Sequence, residues 1–245
     1  MQRLEELQEN DFDVVVFDSD GVTIRKGTEL KETEKSLEIQ TNVIEPKMVE
    51  ALNELKKHCI VAISSGRSLM HLLKAYEPVI DERVVLQAEN GIITMVDGVM
   101  RQNLYFLPDE MRKIRDMKKR IRGIENQAIK GFEPKTFLIT VHCENRVDEI
   151  EEIVDEYEGF SWLWNGEAYD IQLDEIDKGF SLNQFEGKKI VAVGNGENDL
   201  PMLNKADIGI TTDADSIQSD FCTSEPLEDG GLEVINHLLK LKGDE

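Results

Sequence analysis

Residues 13–23, "DVVVFDSDGVT", decide the fold. The run at 13–17, apolar and β-branched after its first residue, stops at Asp18, a second aspartate follows at Asp20, and Gly21 comes next. A short continuous apolar run suits a parallel strand covered on both faces. Comparable runs recur at 60–63, 84–86 and 190–193. Helical periodicity lies between and after them: 47–58 with Met48, Leu52 and Leu55 on one face, then 68–76 and 232–241. Strand and helix in alternation predict an α/β domain on a doubly wound parallel sheet.

The middle of the chain has another rhythm. Residues 109–124, just after Pro108, read as a charged amphipathic helix, and 127–132 as a strand. Residues 137–142 alternate strongly, and 147–157 form a second amphipathic helix. The strands 160–164 and 168–173 flank Asn165-Gly166-Glu167, a hairpin turn signal. The order αββαββ predicts an antiparallel sheet with helices on one face. The expected organisation is an α/β core over 1–106 and 174–245, with an α+β cap inserted at 107–173. The polar stretch 26–45 is longer than its connection needs and reads as a surface excursion.

The formal charge of −22 repels nucleic-acid phosphates at long range, so nucleic acid is not an expected partner. The same field means that any phosphate site needs local cations. Cys59, Cys143 and Cys222 show no metal-ligand spacing, and an odd count argues against a disulfide framework. The first residues lack the apolar core of a signal peptide, and no apolar run has the length of a membrane span. A cytoplasmic monomer or small homo-oligomer, apart from membranes, is expected.

Ligands of open α/β sheets bind beyond the carboxyl ends of the strands. Three polar loops fall there: "DSDG" after the first strand, "SSGR" after 60–63, and "GNGEND" after 190–193. Asp18 and Asp20 stand two apart, so in an extended segment both point to one side. Close carboxylates favour a bound cation or a shared proton. Mg²⁺ fits, as a hard ion that takes one or two carboxylates and completes its shell with phosphate. Asp18 then suits a nucleophile, and Asp20 a proton donor and acceptor. Ser65, Gly66 and Arg67 offer a hydroxyl and N–H groups ahead of a helix, a phosphate cradle or an ordinary N-cap. Lys178 supplies the cation that an incoming dianion needs.

Asp18, Asp20, Ser65, Lys178, Asn195 and Asp199, in this order, resemble the four motifs of the haloacid dehalogenase superfamily of phosphohydrolases. The resemblance implies an aspartyl-phosphate on Asp18, acid–base work by Asp20, and phosphoryl contacts from Ser65 and Lys178. It also implies Mg²⁺ on Asp18, the Asp20 carbonyl and the loop of Asn195 and Asp199, with Asn198 of that loop near substrate. One departure stands out: Asn195 occupies a place where the family usually has an aspartate ligand. The site loses a negative charge there, which Asp199, or in second place Glu197, can offset through a water. A cap between the second and third motifs resembles the type II cap of sugar-phosphate phosphatases. Glu133, Lys135 and His142 resemble sugar-contacting groups of trehalose-phosphate phosphatases, and "GNGENDLPML" is closer to a broader branch that includes phosphoglycolate phosphatases. The implied substrate is a small phosphorylated metabolite, foremost a sugar or glycoside. A binding or regulatory protein on the same fold, its catalysis weakened by Asn195, and a phosphomutase are the alternatives.

Overall fold

The computed structural model describes residues 1–9 and 11–243. The chain divides into two compact units. One comprises Met1–Gly27, Asn42–Asn103 and Asp177–Glu245, the other Thr28–Thr41 and Leu104–Ile176.

The first unit is built on a nine-stranded sheet. Across it run Gln2–Arg3, Phe221–Cys222, Ile208–Thr211, Ile190–Gly194, Val14–Asp18, Ile60–Ser64, Val84–Ala88, Ile93–Val96 and Val99–Gln102. The first seven pair in parallel and the last two return antiparallel. That final hairpin turns at Asp97 and Gly98, both at positive φ, as a two-residue hairpin turn requires. All five residues of Val14–Asp18 are buried. Val15 and Phe17 pack into one core with Met48, Leu52 and Leu55 of helix Pro46–Leu55 and with Val234, Ile235 and Leu238 of helix Leu227–Lys242. Val14 and Val16 face the other core, with Leu182, Phe185, Met202 and Leu203. An uninterrupted apolar strand is thus explained by two covered faces. Strand order reverses at Val14–Asp18, since the chain moves first to Ile60–Ser64 and later to Ile190–Gly194 on its other side. This is the switch point at which such sheets take ligands.

The second unit holds a four-stranded antiparallel sheet in the order Phe160–Trp164, Ala168–Leu173, Ile139–Cys143, Ile129–Phe132. Helices Pro108–Arg122 and Asp148–Asp155 bury Ile114, Met117, Ile121, Ile150 and Val154. The stretch expected to be a plain excursion forms a hairpin, Thr28–Glu32 with Leu37–Thr41, that belongs to this unit. Its anchor is Glu32, whose carboxylate accepts hydrogen bonds from Arg122 Nη2 and Phe132 N, both at 2.8 Å. Gly131, at φ +147°, lies so close that a Cβ there would stand 2.6 Å from Leu30 and Glu32 side-chain atoms. No helix among the described residues is long and apolar enough to cross a membrane.

Candidate active site

The central strands of the first unit end level with one another. Asp18 pairs with Ser64, Ser64 with Gln87, and Phe17 with Val193. Asp18, Ser65 and Asn195 therefore leave the sheet together at its carboxyl edge. Asp18 is only 4% exposed. Lys178, equally buried, opens the short 3₁₀-helix Lys178–Phe185, and its Nζ donates to Asp18 Oδ1 and to Asp199 Oδ1 at 2.5 Å each. Two buried carboxylates share one ammonium. Burial first, then the Asp199 charge, push the Asp18 carboxyl up to about 7 against the pull of Lys178. For Lys178 burial opposes the charge, but the carboxylates of Asp18 and Asp199 outweigh it and hold the pKa above the ordinary lysine value.

Asp199 also organises the loop between Gly194 and Leu200. Its Oδ2 accepts from the backbone N–H of Asn195 (2.8 Å) and of Gly196 (3.0 Å), so the side chain ties the loop rather than capping the helix that follows. Gly194 admits this approach, because a Cβ there would lie 2.5 Å from Asp199 Cβ. Asn195, also buried, turns its amide nitrogen to the Asp20 carbonyl (3.2 Å) and the Gly21 carbonyl (2.7 Å). Gly21 has φ +82°, and a Cβ would meet Asn195 Nδ2 at 2.3 Å, so backbone conformation and close approach both require glycine. Asn198 is exposed on the same loop.

The Arg67 guanidinium forks onto Asp20, Nε to Oδ2 at 3.3 Å and Nη2 to Oδ1 at 3.2 Å. Ser65 is buried, and its Oγ accepts from Arg67 N at 3.2 Å. The helix expected at 68–76 runs over Leu69–Ala75, and its N-cap is Ser68 and not Ser65. Gly66 and Arg67 thus form a turn before the helix, not its first residues. Beneath Asp18 lies a buried hydroxyl cluster. Thr23 Oγ1 donates to the Asp18 carbonyl at 3.1 Å and contacts Tyr76 Oη at 2.6 Å, while Tyr76 donates to Ser19 Oγ at 2.9 Å. Burial pushes the Tyr76 phenol well above its ordinary pKa, so it stays a neutral hydrogen-bonding group.

Glu133, Lys135 and His142 gather in the second unit. His142 Nε2 and Glu133 Oε1 are 2.8 Å apart. Lys135 Nζ lies 3.4 Å from Glu133 Oε2 and 3.3 Å from Asp170 Oδ1 and donates to Thr140 Oγ1, which in turn hydrogen-bonds Asp170. The Lys135 side chain is 2% exposed, which makes this a buried polar cluster rather than a solvated pair at an edge. Trp162 and Trp164 are half-buried against Tyr169. His237 Nε2 bonds the Leu7 carbonyl at 2.9 Å.

Several participants are missed by the sequence reading: Thr23, Tyr76, Thr140, Asp170, Gln87 and Ser181. Gln87 alone left a signal, as a lone polar residue in the run "VVLQA". No group of three His, Cys, Asp or Glu among the described residues could hold a metal ion by itself. The oxygens present nevertheless suit a hard divalent cation. Asp18 Oδ2 and Asn195 Oδ1 accept no hydrogen bond within the described residues, and the Asp20 carbonyl has a second lone pair. Asp199 is less suited, since both its oxygens are engaged.

A sequence profile of haloacid dehalogenase-like hydrolases matches residues 109–214, a span that includes Lys178, Asn195 and Asp199. Phosphoglycolate phosphatase from Methanopyrus kandleri is 26% identical over 181 residues, covering 67% of this chain and 74% of that one. The crystal structure of a trehalose-6-phosphate phosphatase related protein superimposes with a TM-score of 0.69 at 14% identity, covering 95% of this chain and all (100%) of the other. The C-terminal domain of C. albicans trehalose-6-phosphate phosphatase gives 0.66 at 15% identity, covering 99% and 96%. Residues 109–214 of the chain are thus similar to haloacid dehalogenase-like hydrolases, and the whole chain shares the fold of the solved phosphatase structures.

Proposed function

We propose that the chain is a Mg²⁺-dependent phosphatase that hydrolyses a small phosphorylated sugar or glycoside through an aspartyl-phosphate on Asp18. The observation that carries this reading is the ammonium of Lys178 shared by Asp18 and Asp199 at the switch point of the sheet. A buried cation beside a buried carboxylate lets an anionic nucleophile tolerate an incoming phosphate dianion. The cation would be held by the Asp18 carboxylate, the Asp20 main-chain carbonyl and the Asn195 side chain. Bound there, it would neutralise phosphoryl charge and keep Asp18 ionised at neutral pH.

The steps on the protein's own groups follow. An Asp18 oxygen bonds to phosphorus as the bond from phosphorus to the leaving oxygen breaks. Asp20, oriented by the Arg67 fork, gives that oxygen a proton, and the alcohol departs. Asp20 then takes a proton from water. The water oxygen bonds to phosphorus, the bond to Asp18 breaks, and inorganic phosphate leaves with the carboxylate restored.

What supports a sugar or glycoside is the resemblance of Glu133, Lys135 and His142 to sugar-contacting groups of trehalose-phosphate phosphatases, three residues that lie together in the second unit. The test of the mechanism is borohydride reduction of acid-quenched protein taken during turnover, which converts an acyl-phosphate at Asp18 to homoserine. Homoserine at position 18 in the peptide masses is expected. Turnover with no such product at that position would overturn the mechanism.

A further inference from the structure

Lys178 stands at the first position of a 3₁₀-helix of eight residues, Lys178–Phe185. Runs of 3₁₀ beyond three or four residues are uncommon, because their hydrogen-bond geometry is poor. A phosphate-binding lysine there needs support from outside the helix, and Gln87 supplies it. Gln87, at the end of Val84–Ala88 and fully buried, donates from Nε2 to the Ser181 carbonyl at 2.7 Å. Ser181 Oγ in turn donates to the Lys178 carbonyl at 2.6 Å. Two backbone approaches close around the same turn. Gly91, at φ +87°, lies where a Cβ would be 2.6 Å from Ser181 Cα, and Gly179 lies where one would be 2.8 Å from the Pro201 carbonyl oxygen.

The second observation is a cost. Gln87 Oε1 is buried without a hydrogen-bond partner. A buried orphan acceptor destabilises a fold, and an apolar side chain of similar volume would avoid it. The amide is the wrong choice for packing at this point, while its other end holds the lysine helix.

We propose that Gln87 and Ser181 are positioning residues that aim Lys178 at Asp18, a role that rests on the reading of Lys178 as the phosphate-binding cation. They touch no reacting atom. Their work is to hold the first turn of a weak helix so that the ammonium stays between Asp18 and Asp199.

The test uses Gln87→Leu and, for the next link, Ser181→Ala, each measured three ways in the full chain. Acetic anhydride labelling with peptide mapping reads the exposure of Lys178 independently of any activity. Thermal melting reads stability, and phosphate release reads kcat and KM. In Gln87→Leu, labelling of Lys178 is expected to rise several-fold relative to the other lysines. The melting temperature should hold or rise as the orphan acceptor disappears, and kcat should fall about tenfold, the scale of one lost buried hydrogen bond, with KM little changed. Ser181→Ala should expose Lys178 in the same way and serves if Gln87→Leu does not fold. Lys178 labelling at native level in both variants would overturn the proposal. So would a general rise in lysine labelling with a parallel loss of melting temperature. Selective exposure of Lys178 with no phosphatase activity in any protein, the native one included, would uphold the positioning role and count against the phosphatase reading.

Discussion

Replacing Asp199 by asparagine isolates what the shared ammonium contributes. The native carboxylate is fully buried and acts on two sides, with Oδ1 toward Lys178 and Oδ2 toward the N–H groups of Asn195 and Gly196. An asparagine must turn its NH₂ toward one of these, and every partner is a donor. Either orientation sets donor against donor in a buried place and leaves Lys178 with Asp18 alone. Removing one member of a buried ion pair costs about 3–5 kcal/mol. For a chain of this length each kcal/mol lowers the melting temperature by about 2–4 °C, so a fall of about 6–20 °C is expected. The carboxyl of Asp18, relieved of a neighbouring negative charge, should titrate below its native value of about 7. The assay is scanning calorimetry of Asp199→Asn beside the native protein, both in chelator at neutral pH. A variant melting within about 2 °C of the native protein would refute the reasoning.

Two further predictions concern the same carboxylates. In chelator the native state holds a proton on Asp18 between about pH 4 and pH 7, where the unfolded chain has lost it. Stability should therefore fall as pH rises through that window, by up to about 1.4 kcal/mol per pH unit, and level off above it. Urea denaturation across the window checks the slope, and Asp18→Asn should flatten it; an unchanged slope in that variant assigns the effect elsewhere. Asn195→Asp turns a donor that faces the Asp20 and Gly21 carbonyls into a repelling carboxylate. It should melt lower than the native protein in chelator, yet gain more from added Mg²⁺, and equal gains in the two proteins would remove Asn195 from the cation site.

The core strands were legible because each is buried on both faces and so reads as an unbroken apolar run, as at Val14–Asp18 and Ile190–Gly194. The second unit was legible for the opposite reason, since its helices carry one apolar stripe and its strands Phe160–Trp164 and Ala168–Leu173 flank a plain turn. The hairpin Thr28–Thr41 was not. Leu30 is its one buried apolar residue, and Glu32, which anchors it, looks like any surface glutamate until Phe132 N and Arg122 are beside it. The two-residue strands Gln2–Arg3 and Phe221–Cys222 are too short to show a period.

The site divides along the same line. Asp18, Asp20 and Lys178 stand at strand or helix boundaries, where a charged residue beside an apolar run is conspicuous. Gln87, Ser181, Thr23 and Tyr76 act through hydrogen bonds to partners far along the chain, with Gln87 reaching Ser181 and Thr23 reaching Tyr76. Spacing cannot announce such pairs. Asn195 was conspicuous for the charge it lacks, but only the fold gives its amide a task, bridging to the turn after Asp20.

The measurement that tests the central claim most directly is phosphate release over a panel of phosphate esters, with Mg²⁺ and with chelator, for the native chain and Asp18→Asn. The panel pairs neutral leaving groups, such as trehalose 6-phosphate, sucrose 6-phosphate and hexose phosphates, with acidic ones such as phosphoglycolate and glycosyl-phosphoglycerates. Mg²⁺-dependent turnover of a neutral sugar phosphate is expected, and it should disappear in the variant. Turnover that survives Asp18→Asn, or none above the variant's background on any ester, would contradict it.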